Sequence, residues 1–101
     1  MHLEHYQYRT NEQSIDYVFE SIGPKRKILK VARFTKIGEN LYNFGFGDVD
    51  PTTGNISDIV VSNNSDGDKV LATVANIIVN FFTAYPNADV FCNNRRIQLF
   101  L

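Results

Sequence analysis

The chain has 101 residues and a mass of 11.5 kDa, with 44% hydrophobic and 13% aromatic residues. That is one domain's length with apolar material for one modest core, and it excludes disorder along most of the chain. The net charge of −1 and the single cysteine, Cys92, exclude a uniformly basic nucleic-acid binder, an internal disulfide and a Cys-rich zinc site.

The N-terminal residues Met1 to His5 lack the basic start and apolar core of a signal peptide. No apolar stretch approaches the ~20 residues of a membrane helix. The expected setting is the reducing cytoplasm, without a membrane partner. Leu3 to Arg9 form a candidate opening strand. Next comes a predicted meander over residues 15–48. A turn at Gly23-Pro24 pairs Ile22 with Lys27, setting Tyr17 against Ala32, Ile15 against Phe34 and Asp16 against Arg33. A three-residue loop, Gly38-Glu39-Asn40, pairs Ile37 with Leu41. Phe34 then opposes Phe44, Ala32 opposes Phe46 and Lys30 opposes Asp48. Both turns put Ile15, Tyr17, Phe19, Phe34, Phe44 and Phe46 on one face, and this agreement supports both. Asp16, Glu20, Arg33, Thr35, Asn43, Gly45 and Gly47 fall on the other, wetter face.

Ile56 to Ser62 read as a short fourth strand or an extended lead into a helix. That helix is predicted over about 66–85. Val70, Val74, Ile77, Phe81 and Tyr85 recur at helical spacing, and Leu71, Ala75, Ile78 and Phe82 widen the face. Asn76, Asn80 and Thr83 fall opposite, with Thr73 near the edge. Ser65 or Asp66 caps the start and Pro86 ends the helix. Val90 to Cys92 and Ile97 to Leu101 are late strands, with a hairpin about Asn93 to Arg96. The expected fold is α+β: an antiparallel sheet of four to six strands with one long helix on its aromatic face, in a single domain over 1–101.

Three groups of residues could carry function. Asp48, Asp50 and Asp58, with Thr52, Gly54 and Asn55, alternate oxygen ligands as a hard-cation loop does. The glycine is displaced by one position and the closing Glu is absent, so turn chemistry explains the segment more simply. Ser62, Asn63, Asn64 and Asp66, with Lys69 one turn on, form a polar entry to the helix, suited to recognition; Asp66 and Asp68 oppose anion binding there. Lys25, Arg26, Lys27, Lys30, Arg33 and Lys36, with Arg95 and Arg96, are basic residues near aromatics, as in RNA-binding sheets. Alternation divides them between faces, and the simpler reading is a solvated, edge-protecting pattern. His2 and His5 lack metalloprotease spacing, and no catalytic motif or cofactor fingerprint is present.

Several segments together resemble a family of short bacterial proteins known only as a domain of unknown function. They are Tyr42-Asn43, Phe46-Gly47-Asp48, Asp58 with Val61-Ser62-Asn63-Asn64, Asp66 with Lys69 to Ala75, and Tyr85-Pro86. Tyr6, Tyr8, Phe19 and Gly23-Pro24 fit as well. The resemblance spans nearly the whole chain and is most specific from Val61 to Ala75. It implies a bacterial α+β domain with no established activity. It also implies an Arg-rich turn, a Leu-Tyr pair and a further C-terminal helix. Arg95, Arg96, Leu99 and Phe100 match that segment only loosely, so the chain is read either as a natural short form or as one lacking that C-terminal element.

Charge is segregated along the chain. Residues 1–20 carry −3, 21–37 carry +6, 38–68 carry −6 and 69–101 carry +2. The expected function is a non-enzymatic interaction module, self-associating or bound to a protein partner. An RNA-associated regulatory or toxin-type protein using Lys27, Arg33, Arg95 and Arg96 is the alternative. A metal-assisted enzyme built on Asp48, Asp50 and Asp58 is the third.

Overall fold

The structure, a computed structural model, describes residues 4–49, 56–57, 66–93 and 95–97. The strands are β1 (Tyr8–Thr10), β2 (Asp16–Ile22), β3 (Lys27–Gly38), β4 (Leu41–Val49), β5 (Ile56–Ser57), β6 (Asp89–Cys92) and β7 (Arg95–Ile97), and the helix is α1 (Gly67–Ala84). Six strands lie in the order β1-β2-β3-β4-β6-β7, and the two-residue β5 pairs with the far end of β4. The fold is α+β, as the alternation and the single helical pattern require. The remainder of the expected strand over 56–62 lies outside the described residues, as do residues 98–101.

The meander has the expected register. Ile22 pairs with Lys27, Tyr17 with Ala32 and Asp16 with Arg33 across β2 and β3. Phe34 pairs with Phe44, Ala32 with Phe46 and Lys30 with Asp48 across β3 and β4. The second turn differs by one residue: Gly38, rather than Ile37, opposes Leu41. The turn tightens to Glu39-Asn40 because Asn40 adopts a left-handed φ of 55°, a conformation Asn tolerates better than most residues. The register shifts between Lys36 and Gly38, and the extra residue, Ile37, is 59% exposed.

One pairing departs from an all-antiparallel sheet. β6 runs parallel to β4, with Leu41, Tyr42 and Asn43 against Asp89, Val90 and Phe91. A parallel neighbour needs a crossover, and α1 supplies it by carrying the chain back to the start of β4. The Asp89 N–H donates to the Asn40 carbonyl at 2.7 Å, fixing where β6 begins.

The aromatic face of the sheet packs under α1. Tyr17, Phe19, Phe34, Tyr42 and Phe44 are buried with Ile77, Phe81 and Val90 in one cluster. The Phe81 ring stacks on Phe34 with centroids 3.8 Å apart and planes 6° apart, and it meets Tyr42 edge-on at 5.1 Å. Helix propensity alone would leave α1 marginal, so this burial holds it.

The contact face of the helix is rotated from the sequence expectation. Thr73, Ile77 and Phe81 are its buried residues. Val70, Val74, Ile78 and Phe82 are partly buried, while Leu71 and Ala75 are exposed. Thr73 belongs at the centre because its hydroxyl accepts the Tyr6 backbone N–H at 2.8 Å and donates to the Lys69 carbonyl at 2.7 Å. A buried hydroxyl with both partners met costs little.

Candidate functional site

The most polar part of the interior lies where α1 begins. Asp66 occupies the N-cap position, and its carbonyl accepts the Val70 N–H at 3.0 Å. Its carboxylate makes no capping bond. It accepts hydrogen bonds instead from the Tyr6 hydroxyl at 2.5 Å and from the Ser21 hydroxyl. The Tyr6 hydroxyl in turn accepts the Ile22 N–H at 3.0 Å. Burial alone would raise the Asp66 pKa, but the bonds from Ser21 and Tyr6, its own N–H and the Lys30 charge hold it below 3.8. Burial, together with the bond to Asp66, pushes the Tyr6 hydroxyl above 10.0.

Lys30 sits beside this group on the buried face of β3 and is 1% exposed. Its ammonium donates to the Asp48 carboxylate at 2.5 Å and lies 5.8 Å from the Phe46 ring centre. Lys69 places its ammonium 4.5 Å from the Tyr6 ring centre, a cation–π distance. The seam continues along the helix. Tyr8 donates to the Asn76 side chain at 2.6 Å and Tyr17 to the Asn80 side chain at 2.8 Å. Tyr85 donates to the Gln13 carbonyl. Burial raises the pKa of Tyr8 and Tyr17 as well. Among the described residues every buried side-chain nitrogen or oxygen has a hydrogen-bond partner. Such a network fastens helix to sheet.

Of the residues expected at a polar entry site, Asp66 and Lys69 are thus brought together on Tyr6. Ser62, Asn63 and Asn64 lie outside the described residues. The structure separates the basic candidates. Arg33 is on the helix-free face and donates to Asp16 at 2.7 Å. Arg96 pairs with Asp89 at 2.7 Å, while Arg95 sits opposite Cys92 in the next register position, so alternation sends the two arginines to opposite faces. Lys27 lies 3.9 Å from Glu20. Of the candidate metal ligands, Asp48 pairs with Lys30, and Asp50 and Asp58 lie outside the described residues. Among the described residues no three His, Cys, Asp or Glu side chains group as a metal site. No helix among them is long and apolar enough to cross a membrane.

The outward side of α1 is unusual in another way. From Val70 to Ala84 the helix contains no charged residue. A helix lying on a sheet ordinarily faces water with charged side chains. Here Leu71 is 69% exposed and Val79 42% exposed, with Ala75 also exposed and Ile78 and Phe82 partly so. These positions follow at intervals of three and four, so they form a stripe beside the buried face. The periodicity reading assigned most of the stripe to the core. The missing charges over fifteen residues were the signal that the helix has two apolar faces rather than one broad one.

A family model described as a family of unknown function, DUF6934, matches residues 2–99. No curated protein and no solved structure matches the chain.

Proposed function

We propose that this chain, which belongs to the DUF6934 family, is a bacterial cytoplasmic interaction module that pairs with a second copy of itself through α1. The observation that carries this reading is the charge-free helix with Leu71 and Val79 in water. A surface without charges can meet its own copy without setting like charges opposite one another, and it lacks the pattern that would select a charged partner. The two-fold arrangement is isologous, so the same stripe serves both partners. In an antiparallel pairing each positive helix end meets a negative one. A net charge of −1 leaves little overall repulsion between copies. The half-buried Cys92 suits a reducing compartment. Of the residues an RNA-binding alternative would use, Arg33 is paired with Asp16 and Arg96 with Asp89, which favours the interaction module.

Light scattering coupled to size-exclusion chromatography tests it. A mass of twice 11.5 kDa is expected at high concentration, falling toward 11.5 kDa on dilution. The double variant Leu71→Glu, Val79→Glu should stay at the monomer mass with an unchanged far-UV spectrum. A wild-type monomer at every concentration, or a variant that still dimerises, overturns the proposal.

A further inference from the structure

The exposed stripe on α1 is symmetric about one residue. Leu71, Ala75 and Val79 follow one another at four-residue steps, so Leu71 and Val79 flank Ala75 equally. All three are exposed, and the smallest side chain, that of Ala75, lies in the middle. The partly buried Ala72 and Ile78 repeat the pattern three positions to either side. The helix runs from Gly67 to Ala84, so its midpoint falls between Ala75 and Asn76. The centre of the stripe is thus also the centre of the helix. An alanine there lets two helix axes approach to about 8 Å, the close end of the usual range. The charges of α1, in contrast, are gathered at one end. Asp68 and Lys69 stand in the first turn, and no charge follows from Val70 to Ala84. A parallel pair would set Asp68 against Asp68 and Lys69 against Lys69, with like ends of the two helix dipoles together. An antiparallel pair centred on Ala75 holds the two Asp68 side chains roughly 20 Å apart along the axis.

We infer that two copies of α1 cross antiparallel with the two-fold axis at Ala75, so that Leu71 of each copy packs against Val79 of the other. This rests on the pairing through α1 proposed above and adds its orientation and register. Rows of residues four apart on two helices align when the axes cross at about 50°. That crossing brings the row from Leu71 to Val79 into contact and carries the helix ends apart, leaving Asp68 in water at the rim. The arrangement also accounts for the choice of partner. Leu71 needs a smaller apolar side chain opposite it and Val79 a larger one, with a gap filled by nothing bulkier than alanine between them. A second copy supplies that order by symmetry, since an isologous contact answers each residue with its mirror position in the row.

Disulfide trapping tests it, in the full chain carrying Cys92→Ala so that the native thiol cannot react. Leu71→Cys, Ala75→Cys and Val79→Cys are made as separate variants. All three positions are exposed, so the far-UV spectra should be unchanged. Each is oxidised with glutathione disulfide at a concentration where light scattering gives it as a dimer. Ala75→Cys should link to itself. Leu71→Cys alone and Val79→Cys alone should stay unlinked, because the antiparallel register sets like positions on the order of 12 Å apart, beyond the ~7 Å between Cα atoms that a disulfide spans. An equimolar mixture of Leu71→Cys and Val79→Cys should give a covalent dimer, reversed by dithiothreitol, with one chain of each kind by mass spectrometry. Self-linking of Leu71→Cys with no gain in the mixture means a parallel pair; it overturns this arrangement and leaves the dimer standing. A chain that light scattering shows as a dimer but that links at none of the three positions overturns both. A chain monomeric at every concentration overturns the pairing, and this arrangement with it.

Discussion

Replacing Phe81 with Ala tests how α1 is held. The ring is fully buried, stacks on Phe34 at 3.8 Å, meets Tyr42 at 5.1 Å and lies 5.0 Å from Tyr85. Truncating a buried Phe costs about 3–5 kcal/mol through lost transfer energy and the cavity left behind. Each well-formed aromatic pair adds roughly 0.5–1.5 kcal/mol beyond its buried area. The ring engages four aromatic neighbours, Phe82 among them, so a loss of about 4–5 kcal/mol is expected, in the upper part of the range. A domain of this size is stable by roughly 5–15 kcal/mol, so Phe81→Ala should remain folded only narrowly. The melting temperature should fall by roughly 15 °C or more. Urea titration followed by far-UV circular dichroism, at a protein concentration where the chain is monomeric, measures the change. Leu71→Ala is the control, because a side chain 69% exposed should shift stability by less than about 0.5 kcal/mol. If Phe81→Ala lost under about 1.5 kcal/mol, or matched Leu71→Ala, the helix would not be docked through this ring.

Further predictions concern the polar seam. Asp66→Asn should cost about 1–2 kcal/mol at neutral pH, since two hydrogen bonds to a charged group become bonds to a neutral one. The Asp66 pKa is lowered by folding, so this advantage is complete above its unfolded value and disappears as pH falls through the folded one. Urea midpoints of wild type and variant should therefore converge in acid. Tyr17→Phe should cost about 1 kcal/mol by leaving Asn80 without its donor, measured in the same titration. Tyr6, Tyr8 and Tyr17 have raised pKa values in the folded state, chiefly through burial. The stability they contribute is complete below pH 10 and is lost as pH rises through the folded values. Phenolate absorbance should accordingly show these hydroxyls ionising after the ordinary range. Arg33→Ala removes a surface pair with Asp16 and should change stability by less than about 1 kcal/mol.

The meander was legible because two turns and a period of two had to agree on one apolar face. A slip of one residue at either would have put Phe34 and Phe44 into water. Only the turn between β3 and β4 escaped, since the bulge at Ile37 absorbs one residue without disturbing Lys36 against Tyr42. The parallel pairing of β6 with β4 was not legible, because alternation carries no information about strand direction. The polar seam was hidden for a different reason. Tyr8 with Asn76 and Tyr17 with Asn80 are more than sixty positions apart, and only the folded register brings them together. A trace was visible: Asp66, Lys69, Thr73, Asn76 and Asn80 share one stripe of the helix, beside the apolar face. Periodicity places Asn76 and Asn80 of that stripe opposite the apolar face, yet in the fold the stripe reaches Tyr6, Tyr8 of β1 and Tyr17 of β2.

Salt tests what holds the proposed dimer together. Among the described residues Lys30 with Asp48 joins the basic segment 21–37 to the acidic segment 38–68 inside the sheet, and α1 carries no charge from Val70 onward. Pairing through Leu71 and Val79 is therefore driven by apolar burial, which salt does not screen. Raising the salt from about 0.1 M to about 1 M shortens the Debye length from roughly 10 Å to roughly 3 Å. The dimerisation constant should hold or strengthen over that range. A dimer that dissociates in salt would mean that charged segments, and not the helix stripe, join the two copies.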